Sequence, residues 1–189
     1  MLSNRLKQDG IAPVFSVEDL HGRTIDLEAY RGRWLLLSFY RYASCPLCNL
    51  RVHEISKLSP QWARQGLDVV GVFQSPREKI LNYLGRQEVA FTLLPDPQQK
   101  LYAVYQVRHS WAGFIKAWLM RLPEIYRSVI RKQFYPGTVE GGIHRIPADF
   151  LIDPAGRLAV AYYGKDIGDH LPVARIEAVL KAGLDAGHV

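Results

Sequence analysis

Seven largely apolar residues, Trp34-Leu35-Leu36-Leu37-Ser38-Phe39-Tyr40, end five positions before a tetrapeptide that holds both cysteines of the chain, Cys45-Pro46-Leu47-Cys48. A near-continuous apolar run is what a strand buried on both faces requires. After the tetrapeptide, Leu47, Leu50, Val52, Ile55, Leu58 and Trp62 recur mostly at three- and four-residue steps, with Arg51, Glu54 and Lys57 between them. That spacing predicts an amphipathic helix starting at or just after Cys45, with Pro46 suited to its first turn and Gly66 beyond its end. Both cysteines thus fall where a buried strand hands over to a helix.

The rest of the chain alternates in the same way. Residues 67–73 form a second apolar run, and 76–86 read as a helix with Ser75 as its cap and Pro76 at its first position. A short strand at 91–94 is closed by Pro95-Asp96-Pro97, and a short helix follows at 98–105. A strand at 149–152 turns through Asp153-Pro154-Ala155-Gly156 into an antiparallel partner at 158–163, and a helix at 172–184 closes the chain. This order predicts an α/β fold with a central mixed sheet and helices on both faces. At 189 residues the chain is expected to be one domain, with a helical insertion at about 109–142.

In that insertion Ile115, Trp118, Leu119, Leu122, Ile125, Tyr126, Val129 and Ile130 keep helical spacing, with Lys116, Arg121, Arg127, Arg131 and Lys132 among them. Pro123 breaks or kinks the pattern into two helices. A basic amphipathic pair can lie on an anionic membrane surface. A flap over the core or the site is the commoner use of such helices, and is the expectation.

The formal net charge of +6 attracts anions only weakly, and no recognisable nucleic-acid module accompanies it, so no nucleic-acid partner is expected. No apolar run approaches the ~18 residues of a membrane span, and the first nine residues contain no apolar signal core. The expected location is the cytoplasm, where thiols stay reduced.

A disulfide between Cys45 and Cys48 closes a very small loop and stabilises little as a staple. Metal binding, thiol redox chemistry and incidental packing remain. A structural zinc site takes four ligands, and neither a second cysteine pair nor a suitably spaced histidine pair among His53, His109 and His144 is present, so no metal is expected. A cysteine at a helix N-terminus is ionised more readily by unpaired N–H groups and the helix dipole. Arg41, four residues earlier, adds positive charge. Cys45, nearer the helix start, is the expected attacking sulfur, and Cys48, one turn in and more buried, is placed to resolve it.

The stretch from Leu35 through Cys45-Pro46-Leu47-Cys48 to Asn49 resembles the thioredoxin-fold redoxins. It is similar in particular to the bacterial peroxiredoxin-like branch of the alkyl hydroperoxide reductase/thiol-specific antioxidant family. Pro13-Val14-Phe15 with Asp19-Leu20-His21-Gly22 resembles that family's N-terminal hairpin, and Gly71-Val72-Phe73-Gln74-Ser75-Pro76 its second strand and turn. Residues 147–156 resemble its cis-proline strand and hairpin. The resemblance implies a three-layer α/β/α thioredoxin-like fold, Cys45 as peroxidatic cysteine, Cys48 as resolving partner, and Pro147 as a cis proline beside the substrate. Two positions depart from the family pattern. Tyr42 and Ser38 stand where peroxiredoxins carry Thr or Ser and, four residues before it, Pro. Pro147 stands at the position of the late-strand Arg, with Arg145 two residues before it. Polarisation of a peroxide then falls to Arg41 or Arg145, with Tyr42 lining the site.

The expected activity is thiol–disulfide oxidoreduction or thiol-dependent peroxide reduction without a bound cofactor. The substrate is a peroxide or a disulfide, and an external dithiol of thioredoxin or glutathione type restores the enzyme. A homodimer is compatible with the resemblance; membrane association is not expected. The alternative is a thioredoxin-like binding module whose cysteines regulate it without turnover.

Overall fold

The computed structural model describes residues 5–85, 87–109, 137, 142 and 144–186. Its frame is a five-stranded sheet in the order β5-β4-β3-β6-β7. The strands are β3 (Trp34–Phe39), β4 (Leu67–Phe73), β5 (Thr92–Pro95), β6 (Ala148–Ile152) and β7 (Leu158–Tyr163). β3 runs parallel to β4, and β4 to β5, whereas β6 lies antiparallel to both β3 and β7. The sheet is mixed, as the element order predicts. A separate hairpin, β1 (Ser16–Glu18) and β2 (Thr24–Asp26), precedes it at the position that resembles the family's N-terminal hairpin.

Every residue of β3 is buried, because the alternating faces serve two different cores. Leu35, Leu37 and Phe39 pack with Tyr102, Tyr105 and Phe150 on one face. On the other, Leu36 joins Ile55, Trp62, Leu151 and Leu180, contributed in part by α1 (Pro46–Arg64) and α4 (Val173–Ala186). A third cluster forms beyond the C-terminal end of β3, where Tyr40, Cys45, Cys48, Val52, Phe73 and Ile80 meet. Gly71 in β4 makes room there, since a Cβ at this position would stand 2.9 Å from the Tyr40 ring and from Leu93.

α1 begins as predicted, with Cys45 at the N-cap and Pro46 in the first turn. The helix continues through Pro60, and the Ser59 hydroxyl donates to the Ser56 carbonyl that Pro60 cannot serve. It closes at Gln65, and Gly66 supplies the positive φ of +85° from which the chain turns into β4.

Most element boundaries shift by a residue or two, and three shifts bear on the site. α2 is Arg77–Leu84, starting one residue late, with Pro76 at the N-cap. Ser75 does not cap it, because its hydroxyl accepts the Ala43 N–H at 2.8 Å instead. β5 begins at Thr92 rather than residue 91, and α3 is limited to Lys100–Val104. Almost all of the predicted insertion at 109–142, with Trp111 and Trp118, lies outside the described residues. Among the described residues no helix is long and apolar enough to cross a membrane.

Candidate active site

The loop between β3 and α1 is held from three sides before any sulfur is considered. Tyr40 donates its N–H to Val72, extending the β3–β4 pairing. Tyr102 places its hydroxyl between the Tyr40 and Val72 carbonyls, at 2.8 and 3.0 Å. The Gln74 N–H donates to the Arg41 carbonyl, and Ser75 takes the Ala43 N–H. From inside the helix, the Asn49 amide donates to the Ala43 carbonyl at 2.7 Å and to the Cys45 carbonyl at 2.9 Å. The Asn49 oxygen accepts from Gln87 Nε2 at 2.7 Å. All of these fix the course of residues 40–45, and none uses a cysteine side chain.

Both cysteines are free thiols and both are buried, each 1% exposed. The expectation that Cys48 is the more buried of the two is therefore corrected. Both cysteines lie in one buried cluster with Tyr40, Tyr42 and Ala43 of the loop and Leu47 and Val52 of α1. Arg41 Nη1 donates to Cys45 Sγ at 3.2 Å, and the Arg41 backbone N–H donates to Cys48 Sγ at 3.4 Å.

These contacts separate the two thiols electrically. Burial pushes the Cys45 thiol up, yet the Cys48 thiol donating to it, the Arg41 charge and the N–H groups of Cys48 and Leu47 outweigh burial and hold it down at about 5. Cys48 moves the other way, pushed well up by burial and by the Cys45 sulfur it donates to. Burial lowers the Arg41 pKa, but the two sulfurs raise it further, so the guanidinium stays charged. One negative charge is therefore held on Cys45, with a neutral thiol and a cation against it.

The other predicted residues divide. Tyr42 is at the site. Its carbonyl accepts the Cys45 N–H, its ring lies under the Arg41 guanidinium at 4.8 Å, and burial together with the Cys45 charge pushes its hydroxyl up to about 12. Arg145 is not at the sulfur. It spends its donors on Val107, Gln99 and Gln74, and stacks on Tyr102 at 4.6 Å. Gln99 and Val107 flank α3 and Gln74 follows β4, and together these acceptors hold the guanidinium against Tyr102.

Pro147 is buried and precedes β6, but no peptide bond among the described residues is cis. The expected cis proline is thus an ordinary trans one. Its carbonyl accepts the Gly164 N–H and extends the β6–β7 ladder, and a trans bond at the mouth of a strand carries no penalty.

Sequence reasoning passed over Asn49, Gln87 and Tyr102. Asn49 had a signal, because it shares a helix face with Cys45, Cys48 and Val52 and is a buried amide in an apolar stripe. Gln87 and Tyr102 reach the loop only through tertiary packing. Among the described residues no cluster of three or more His, Cys, Asp or Glu side chains is arranged to hold a metal ion.

Comparison with known proteins places this geometry in context. The model of the AhpC/TSA family matches residues 9–161. Peroxiredoxin Bcp of Escherichia coli K12 is 27% identical over 155 residues, covering 82% of this chain and 84% of that protein. Peroxidoxin BcpB of Mycobacterium tuberculosis superimposes with a TM-score of 0.67 at 17% identity, over 94% of this chain and 98% of the other. Peroxiredoxin Q of Xanthomonas campestris gives 0.63 at 19% identity, over 94% and 98%. At that identity the two solved structures establish the shared thioredoxin-like fold.

Proposed function

The chain belongs to the AhpC/TSA family, and on that footing we propose that it is a thiol-dependent peroxidase in which Cys45 and Cys48 form the working pair. The observation that carries this reading is the convergence of Arg41 Nη1, two backbone N–H groups and the Cys48 thiol on the Cys45 sulfur. Such a constellation stabilises a nucleophilic thiolate and supplies its resolving thiol in one place.

The Cys45 thiolate attacks one peroxide oxygen. The O–O bond breaks, and the departing hydroxide or alkoxide takes up a proton, leaving Cys45 as a sulfenic acid. Cys48 then attacks the Cys45 sulfur. The S–O bond breaks, water leaves with the Cys48 proton, and a Cys45–Cys48 disulfide forms. Two electrons have passed from the dithiol to the peroxide. An external dithiol of thioredoxin type, or a pair of monothiols of glutathione type acting through a mixed disulfide, returns them and is itself oxidised to a disulfide. Arg41 and Tyr42 are the groups at hand to orient the peroxide. Arg145 reaches them through Gln74, whose own N–H donates to the Arg41 carbonyl.

Peroxide is favoured over protein disulfide as the oxidant because both cysteines are 1% exposed, and a small molecule reaches a buried sulfur more easily than a folded partner does. In this reading the chain is one domain, and its insertion at about 109–142 is part of it.

The test is to mix the reduced protein with hydrogen peroxide and, separately, with a small model disulfide, and to count titratable thiols over time. Peroxide should consume both thiols of the native protein and spare Cys45→Ser. A Cys45→Ser protein that oxidises as fast as the native one overturns the proposal. Faster loss of thiols to the disulfide than to peroxide overturns the choice of substrate.

A further inference from the structure

The Cys45 sulfur is held by groups whose aim depends on the backbone at residue 45. Cys45 takes the N-cap with φ −70° and ψ 118°, and no side chain caps the helix for it. What fixes that backbone is the Asn49 amide. Its Nδ2 spans the Ala43 and Cys45 carbonyls at 2.7 and 2.9 Å, and the Asn49 N–H makes the ordinary helical bond to the same Cys45 carbonyl at 3.0 Å. Asn49 is 3% exposed, so these bonds have little competition from water.

An amide can face either way, and only one direction serves two carbonyls. Gln87 decides it. Its Nε2 donates to Asn49 Oδ1 at 2.7 Å, which forces the amino end of Asn49 toward the loop. Gln87 does this while its own Oε1 is buried without a hydrogen-bond donor among the described residues.

From this geometry we infer that Asn49 is a positioning residue for Cys45, and that Gln87 acts through it by fixing the direction of its amide. The inference rests on the proposed role of Cys45 as nucleophile. Asn49 touches no sulfur. It holds the residue 43–45 backbone where the Leu47 and Cys48 N–H groups and Arg41 converge on Cys45. Without the amide, the Ala43 carbonyl loses its partner, the loop rotates to recover one, and the thiolate loses part of its stabilisation. The position therefore sets the ionisation of Cys45 as well as the integrity of the helix start.

The experiment follows iodoacetamide alkylation at Cys45 by mass spectrometry as a function of pH, alongside thermal unfolding, in native protein, Asn49→Leu, Asn49→Asp and Gln87→Met. Leucine keeps the approximate size of the amide without its donors, and aspartate adds a negative charge near the sulfur. Both should raise the alkylation midpoint by about one pH unit or more, which is about tenfold in rate at a pH below the midpoint. Gln87→Met, which leaves the Asn49 donors in place but unaligned, should raise it by a smaller amount.

A merely structural role predicts a lower unfolding temperature with an unmoved midpoint in all three variants, and that result overturns the inference. Should the Asn49 variants fail to fold, Gln87→Met decides, and a native midpoint in that variant overturns it. The midpoint is independent of peroxide. A native protein inert to peroxide, but whose midpoint moves in these variants, removes the proposed function and leaves the inference standing.

Discussion

Arg41 donates Nη1 to the Cys45 sulfur across 3.2 Å, from four residues earlier in the same buried loop. A cation that close favours the thiolate by the same physics that depresses a carboxylate beside arginine, on the order of 1–3 pKa units. Arg41→Gln should therefore cut the alkylation rate of Cys45 at about pH 4, below its value of about 5, by about tenfold or more, with a parallel loss of peroxide reduction. Arg41→Lys keeps the charge but loses the rigid planar reach, and should fall between the two. Alkylation in Arg41→Gln at the native rate would refute the assignment.

The pH dependence follows from the opposite displacement of the two thiols. With Cys45 held down at about 5, peroxide reduction should be nearly flat from pH 6 to 8 and fall by about tenfold per pH unit well below 5. Stability carries the same signature. A group depressed in the folded state stabilises fully above its unfolded pKa, about 8.5 for cysteine, and loses that contribution as pH falls through the folded value. The difference in unfolding temperature between native protein and Cys45→Ser should thus grow from pH 5 to 8. Cys48, pushed upward, works against stability only as pH rises beyond the ordinary thiol range. A difference independent of pH would show that Cys45 is not ionised in the folded protein.

The handover from buried strand to helix was legible because it is written locally. The apolar run at 34–40, the proline after Cys45 and the three- and four-residue spacing each have one structural meaning, and β3 and α1 lie where they point. Arg41 was legible for the same reason, being one loop from Cys45. Resemblance offers Arg145 as a partner of the sulfur and Pro147 as a cis proline, but long-range contacts take Arg145 elsewhere and the bond before Pro147 is trans. Val107, Gln99 and Gln74 compete successfully for the Arg145 guanidinium. The residues that were missed show the same limit. Gln87 stands 38 positions from Asn49, and Tyr102 stands 62 from Tyr40, so no local pattern could pair them.

Cys48 already donates to the Cys45 sulfur in the reduced protein, which bears on the fate of the sulfenic acid. A resolving thiol one helical turn away needs no unwinding of the helix to reach it, so capture should outrun a second peroxide. In Cys48→Ser that capture is lost. The Cys45 sulfenic acid should persist long enough to be trapped by dimedone, and should advance to sulfinic acid, a gain of two oxygens by mass spectrometry, at peroxide concentrations the native protein survives. Equal over-oxidation of the native protein and Cys48→Ser would mean that Cys48 does not resolve Cys45.

Beneath the same helix, Asp149 is 0% exposed and accepts from His170 Nδ1 at 3.0 Å and from the Leu171 N–H at 2.7 Å. Burial pushes this carboxylate up, but His170, the Leu171 N–H and the Arg51 charge hold it below the ordinary range. The pair fastens the segment before α4 to β6, directly opposite Ser38 of β3. Removing one member of a buried pair leaves an uncompensated charge, whereas replacing both by apolar groups is far less costly. His170→Ala should lose about 3–5 kcal/mol of unfolding free energy in urea at pH 7, and the double variant Asp149→Leu/His170→Leu distinctly less. The pH sign is set by Asp149, because a depressed carboxylate contributes fully above about pH 4 and ceases to as pH falls through its folded value. The penalty of His170→Ala should accordingly shrink in acid. Additive losses in the two single variants and the double, at neutral pH, would show that the two residues act separately.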